Sequence, residues 1–154
     1  MSNVGDIYST NNYGDVEVIY YEGYYKVGVK FLKTNTVIQV RADHLRKGEI
    51  KDPTQPSVYG VGVIGLNFTK YESNSKEYSL WLGMLQRCYD NKLKNKRPSY
   101  LMCEVDKNFL NYEYFKAWCN KQIGFNKKGF ALDKDILVKG NKLYSEDTCC
   151  FVPT

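Results

Sequence analysis

Along the first fifty residues, hydrophobic positions alternate with polar or small ones. Val, Ile, Tyr and Phe recur in this way in three short runs, and the alternation is typical of half-buried β-strands. The runs are 16–20, 25–31 and 37–40. Turn-forming residues separate the runs at Glu22-Gly23 and at 33–35. Short strands meandering over about 45 residues predict a small SH3-like β-barrel, which we assign to residues 1–52.

The region after these strands contains several chain breakers. A single helical turn is predicted at 42–47, ended by Gly48. Residues 53–66 then form a Pro- and Gly-rich linker and strand, because Pro53 and Pro56 favour an extended path. The glycines that follow lack the spacing and the helix of a phosphate-binding loop. We interpret them as a glycine-rich strand or bulge.

The hydrophobic period changes from two to 3.6 in the second half of the chain, which predicts two amphipathic helices. The first spans 77–89, with Asn74 or Ser75 as its N-cap. The second begins after Asn111 and runs to about Asn120. Their core-facing residues are Tyr78, Trp81, Leu82, Leu85, Cys88, Tyr89, Phe115, Trp118 and Cys119.

The C-terminal stretch 132–153 predicts a β-hairpin. A strand starts at Leu132, a turn lies at Gly140-Asn141, and a second strand leads through Tyr144 to the closing residues Cys149–Pro153. Residues 67–154 therefore form a second module with two helices and this hairpin. We predict an α+β protein in which the small SH3-like barrel precedes this α+β module.

Composition narrows the class of protein. Hydrophobic residues make up 43% and charged residues 25% of the 154 positions, as in globular domains. No apolar run approaches the length of a bilayer span, and Met1–Asp6 has no signal-peptide character. We therefore expect a cytoplasmic protein that does not enter a membrane. The five cysteines include no C-x-x-C pair, which favours buried free thiols over disulfides or a zinc ribbon.

The basic excess lies in the second module. Residues 1–66 hold seven Lys or Arg and seven Asp or Glu, so residues 67–154 carry the whole net charge of +5. The stretch Asn91–Pro98 is predicted to be a basic loop, broken by its proline. A phosphate-contacting loop and a solvated connection are both left open. The candidate DNA-binding residues are Lys92, Lys94, Lys96, Arg97, Lys127, Lys128, Lys134, Lys139 and Lys142.

Two carboxylates in the predicted hairpin form a candidate metal site. Asp133 and Asp135 are two positions apart, so they lie on the same face of a strand and could share Mg²⁺ or Mn²⁺. In the competing interpretation they are surface carboxylates paired with Lys134, Lys139 or Lys142.

Spaced motifs over residues 77–153 resemble a phage and mobile-element family of HNH or AP2-type (homing) endonucleases. The motifs are Trp81-x-x-Met84-Leu85-x-Arg87-Cys88-Tyr89, Cys103-x-Val105, Phe109, Phe115-x-x-Trp118, Leu132-Asp133-x-Asp135, Gly140-Asn141, Tyr144 and Cys149-x-Phe151-Val152-Pro153. The N-terminal module also looks like the small barrel that precedes such domains in phage proteins.

The resemblance implies binding of double-stranded DNA, with metal-dependent phosphodiester cleavage in active members. It places Asp133 and Asp135 at the acidic and His positions of the hairpin, and Asn141 near the orienting Asn. These three are the candidate catalytic residues. The expected His position holds Lys134 or Asp135, and lysine is a poor base at neutral pH. Members of the family continue into a closing helix after this hairpin. Two interpretations are therefore left open, a natural remnant of such a protein and a shortened form of a longer product.

We therefore expect a phage-type DNA-binding protein, derived from an HNH homing endonuclease, with weak or no nuclease activity and acting in the host cytoplasm. One alternative is an active Mg- or Mn-dependent nicking endonuclease. Another is a phage protein that binds and inhibits a host enzyme or defence system. In that case the interface would use tyrosines, whereas their competing role is to fill or rim the barrel core. They are Tyr20, Tyr21, Tyr24 and Tyr25.

Overall fold

The computed structural model describes residues 3–96, 103–134, 137 and 141–153, except the side chains of residues 93 and 94. The protein is α+β, as predicted. It divides into two compact units, Met1–Gln55 and Pro56–Thr154, and each has its own hydrophobic core. Across the described residues, no helix combines the length and apolarity needed to cross a bilayer.

The first unit is an antiparallel four-stranded meander followed by one short helix. Its elements are β1 (Ile7–Ser9), β2 (Asp15–Tyr21), β3 (Val27–Phe31), β4 (Val37–Val40) and α1 (Ala42–Lys47). Each strand pairs with the next one along the chain. Within the described part of this unit no pairing joins β1 to β4, so the predicted closed barrel is wrong and the sheet is open. Closure requires tilted, staggered strands, and these strands have only three to seven residues.

The alternating pattern does fix which face of the sheet is buried. Val16 and Val18 on β2 and Val29 and Phe31 on β3 are fully buried, and α1 covers them with Leu45. The predicted helical turn and its glycine stop are confirmed. Gly48 has a φ of 72°, and its N–H donates to the carbonyl of Leu45 at 3.1 Å.

A buried carboxylate ties the end of the first unit to its sheet. Asp52 is only 1% exposed, and its oxygens accept hydrogen bonds from Thr34 Oγ1 at 2.5 Å, Thr54 Oγ1 at 2.7 Å and Gln55 Nε2 at 2.9 Å. Burial alone would raise the pKa of Asp52, but these hydrogen bonds outweigh it and hold the pKa below its usual value. The ionised form therefore stabilises the fold.

The second unit is built around two helices. Its elements are α2 (Lys76–Tyr89), α3 (Asn91–Lys96), β5 (Glu104–Val105), α4 (Tyr112–Lys121), β6 (Phe130–Asp133), β7 (Leu143–Tyr144) and β8 (Cys150–Pro153). A 3₁₀ turn at Glu72–Asn74 leads into α2. The helix α2 packs against α4, and β6 pairs with β8 in antiparallel register.

Both predicted amphipathic helices are confirmed, with their caps. The Ser75 hydroxyl accepts from Tyr78 N at 3.1 Å at the start of α2, and Asn111 Oδ1 accepts from Tyr114 N at 3.3 Å at the start of α4. Trp81 is fully buried on α2, and its indole N–H donates to the carbonyl of Phe109 at 2.8 Å. This bond joins α2 to the chain just before α4.

A polar tie holds the 3₁₀ turn against α4. The hydroxyl of Tyr112 donates to Glu72 Oε2 at 2.7 Å, and Lys116 forms an ion pair with the same carboxylate. Lys116 and Tyr112 together hold the pKa of Glu72 below its usual range, whereas burial raises that of Tyr112. A cleft of about 300 Å³ opens beside this tie. Because the polar groups of the tie bond to one another, we interpret the tie as a structural contact.

Two local predictions in the second unit are wrong. Residues 91–96, predicted to be a loop, form α3, because Lys and Leu are good helix formers and Asp90 Oδ1 accepts from Lys92 N at 3.0 Å. The strand after Asn141 does not return to β6. It pairs in parallel with β5, while β6 pairs in antiparallel register with β8, which contains the closing residues of the predicted hairpin. Gly140 of the predicted turn lies outside the described residues.

Replacing Asp52 with Asn is expected to lower the unfolding free energy of the first unit by about 2–3 kcal/mol, since a neutral amide cannot accept from all three donors. Because the folded-state pKa is depressed, the contribution is present at neutral pH and is lost as pH falls below about 4. Hydrogen exchange of the β3 amides checks this. Asp43→Asn, at the partly exposed ion pair with Arg41, is the control, and equal protection in both variants would contradict the prediction.

Gly62→Ala is expected to destabilise the second unit by about 2 kcal/mol through overpacking. The added Cβ would lie 2.7 Å from Leu85 Cδ1 and 2.9 Å from Trp81 Cη2. At Gly83, within α2, the nearest atom is 3.7 Å away. Gly83→Ala should therefore gain about 0.5–1 kcal/mol of helix propensity. Urea unfolding followed by tryptophan fluorescence measures both, and a neutral Gly62 variant would be evidence against this close packing.

Candidate functional site

Four polar residues from three segments meet near the C-terminal end of α2. We call them the Tyr144 cluster: Arg87, Lys134, Asn141 and Tyr144. Arg87 Nη1 lies 3.4 Å from the Tyr144 hydroxyl oxygen. Lys134 Nζ lies 5.6 Å from the centre of the Tyr144 ring, within cation–π range. One side chain on β7 is thus flanked by two cations, one from α2 and one from the residue after β6.

Burial sets the electrostatics of Tyr144. The residue is 5% exposed, and burial raises the pKa of its hydroxyl, while the charges of Arg87 and Lys134 act in the opposite direction. The phenol is therefore neutral at physiological pH. A neutral hydroxyl can accept from Arg87 and also donate its own proton to an anion.

Asn141 fixes the backbone around the cluster. Its side-chain amide donates to the carbonyl of Lys134 at 3.1 Å and to the carbonyl of Leu143. The first carbonyl belongs to the residue after β6 and the second to a residue of β7. The amide of Asn141 therefore links the backbone at Lys134 to the strand that contains Tyr144.

The candidate metal residues are described only in part. Asp133 ends β6, half-buried, and lies opposite Cys150 in the strand register. Asp135 lies outside the described residues, as do Arg97 and Lys139. Across the described ranges no group of three or more His, Cys, Asp or Glu side chains is arranged to hold a metal ion. The assignment of Asp133, Asp135 and Asn141 as catalytic residues stays a prediction.

The predicted DNA-binding lysines that the structure describes lie on several elements of the second unit. Lys92 and Lys96 are exposed on α3, which follows α2 directly, and Lys142 is exposed just before β7. For Lys94, only its place in α3 is described. Lys127 and Lys128 are exposed before β6, where Lys127 Nζ lies 5.4 Å from the Phe130 ring. β6 separates this pair from Lys134 by the length of a four-residue strand.

The cysteines are free, as predicted, and four of the five are buried. Burial raises the pKa of Cys119 to about 12 and that of Cys149 to about 11. Both therefore remain protonated thiols at neutral pH, the form that packs as a small hydrophobic group.

The tyrosines proposed as a protein interface divide into two pairs. Tyr20 and Tyr21 are half-buried on β2, and Tyr21 packs against the core of the first unit. Tyr24 and Tyr25 are 41% and 69% exposed, with their rings edge to face at 5.0 Å. The competing core role therefore fits the first pair better than the second.

Reasoning from sequence named Arg87 and Tyr144 within motifs but did not place them in the site. They are 57 residues apart, and each is also explained locally, Arg87 as a helix-terminal cation and Tyr144 as a strand residue. Only the tertiary contact brings them together. Known protein-family models, curated proteins and solved structures contain no significant match to this chain.

Asn141→Ala is expected to loosen the pairing of β7 with β5 by removing both amide hydrogen bonds. The amides of Glu104 and Asp106 donate to the carbonyls of Lys142 and Tyr144, each at 2.8 Å, and they report this pairing. Their hydrogen exchange should accelerate by about tenfold. Asn126→Ala, at an exposed position, is the control. Unchanged exchange in the Asn141 variant would exclude the bracing role.

Proposed function

We propose that the second unit binds double-stranded DNA through its phosphate backbone. The observation that carries the proposal is the contact of two basic side chains, Arg87 and Lys134, with the same residue, Tyr144. Arg87 lies in the last turn of α2, and α3, which carries Lys92 and Lys96, follows α2 directly in the chain. Arg and Lys near one another attract a polyanion.

The electrostatics of α3 supports this proposal. Lys92 and Lys96 are at i and i+4, where like charges repel each other and weaken a helix. The first turn of α3 contains no acidic residue. The two ion pairs recorded among the described residues, Arg41–Asp43 and Lys116–Glu72, use neither lysine. Phosphate groups would relieve the repulsion.

The charge distribution supports the same surface. The first 66 residues are balanced, so the net charge of +5 belongs to the remainder of the chain. The resemblance to HNH-type endonucleases, which covers the same half, implies DNA as the polyanion. Asn141, which braces the chain around Lys134, suits the orienting role that the resemblance gives it.

Neutralising α3 is expected to weaken DNA binding and its salt dependence together. Removing one phosphate interaction lowers the slope of log affinity against log salt by about 0.9, so Lys92→Gln with Lys96→Gln should lower it by about 2. Fluorescence anisotropy with a labelled duplex between low and moderate salt measures the slope. Lys26→Gln with Lys51→Gln removes the same charge from exposed positions in the first unit and should leave it unchanged. Affinity that ignores both salt and the α3 substitutions would refute the proposal.

A plasmid incubation with and without Mn²⁺ separates binding from cleavage in one experiment. A mobility shift without nicking fits a binding protein. Nicking that requires Mn²⁺ and is lost in Asp133→Asn would instead identify the nicking endonuclease of the alternative hypothesis, with Asp133 at its site.

A further inference from the structure

We propose that Arg87 and Tyr144 form a seat for a single phosphate group, which anchors one backbone phosphate when the second unit binds DNA. This inference rests on the proposed function and adds to it a specific site. The exposed lysines supply charge from flexible side chains. The seat would hold one phosphate group at a fixed position.

The environment of Arg87 points to an anion. Its side chain is half-buried, and its recorded hydrogen bond is the long 3.4 Å contact with the neutral Tyr144 hydroxyl. In the part of the chain that the structure describes, neither recorded ion pair involves Arg87. A guanidinium has several further N–H donors, and a half-buried charge is favoured when an anion accepts from them.

A second cation, Lys134, lies beside Tyr144. Lys134 Nζ lies over the tyrosine ring at 5.6 Å, so the Arg87 guanidinium and the Lys134 ammonium both flank the Tyr144 side chain. Lys134 also makes contacts of its own, and the seat does not depend on its being unpaired. Its charge adds to the positive potential that an anion would meet at Arg87.

The seat is preorganised. Arg87 is held by α2, and the Tyr144 carbonyl accepts from Asp106 N at 2.8 Å, within the β5–β7 pairing. Asn141 braces the carbonyls on either side of the cluster. Rigid donors lose little entropy when they bind a ligand, so a small contact of this kind can select one geometry.

The chemistry selects phosphate. The planar guanidinium fork matches two oxygens of a phosphate, and a neutral phenol can donate to one of them. A backbone phosphodiester and free inorganic phosphate share these oxygens. A purely structural Arg87 would instead interact with the C-terminal carbonyls of α2, and its replacement would then change stability without changing phosphate binding.

The first test follows the Arg87 Nε–Hε resonance by NMR while inorganic phosphate is added to the full chain, with chloride at matched ionic strength as the comparison. A saturable shift in phosphate alone is expected, with a parallel shift of the Tyr144 backbone amide. In Arg87→Gln, which lacks the guanidinium signal, the Tyr144 amide should no longer shift with phosphate, while the thermal unfolding midpoint stays near that of the parent. Equal, non-saturating shifts in phosphate and chloride would overturn the seat.

The second test measures affinity for a short duplex at fixed salt. Arg87→Lys keeps the charge but loses the fork, and it should weaken binding by about tenfold. Tyr144→Phe keeps the ring and should weaken binding by about threefold. Lys26→Arg, at an exposed position of the first unit, is the control and should change affinity by less than about twofold, since it alters no residue of the second unit.

The two measurements separate the seat from DNA binding. Salt-dependent DNA binding that is unaffected by Arg87→Lys, with no phosphate-specific shift, would overturn the seat and leave the proposed function standing. A phosphate-specific shift at Arg87 without DNA binding would support the seat as a site for free phosphate and overturn the proposed function.

Discussion

The burial of Trp81 is the constraint on which the second unit depends. Its indole fills the space left open by Gly62, lies 5.2 Å from the Tyr112 ring, and donates to the Phe109 carbonyl. These contacts fix the rotation of α2 about its axis. Once positions 81, 84, 85 and 88 face inward, Arg87 must lie at the margin of the buried stripe. A long cationic side chain at such a margin packs its aliphatic part against the core and keeps its charged group near water, where a ligand can reach it.

Local sequence patterns were sufficient for the elements whose causes are local. The apolar period of α2, the caps Ser75 and Asn111, and the glycine stop at Gly48 all follow from interactions within a few residues. One wrong prediction also has a local cause. The basic stretch 91–96 was interpreted by its charge, whereas helix propensity and the Asp90 cap decide its conformation.

Long-range pairing could not be predicted in the same way. The residues after Asn141 form the two-residue strand β7, which is too short for alternation to indicate which strand it joins. Their partner β5 is about forty residues earlier and parallel. The open sheet of the first unit is a related case, since closure depends on strand length and tilt, not on alternation. The contact of Arg87 with Tyr144, 57 residues apart, depends on the β5–β7 pairing that positions Tyr144.

The distribution of polar groups is the reason why we propose binding as the function. Both recorded donor bonds of the Asn141 amide go to backbone carbonyls, the Glu72 carboxylate is held by Tyr112 and Lys116, and burial keeps the thiols protonated. Each of these groups acts within the fold. Arg87, Lys92 and Lys96 differ, because neither of the two ion pairs found among the described residues involves them. Positive charge held on a rigid frame stabilises a bound polyanion directly, and it does so without a group that must gain or lose a proton.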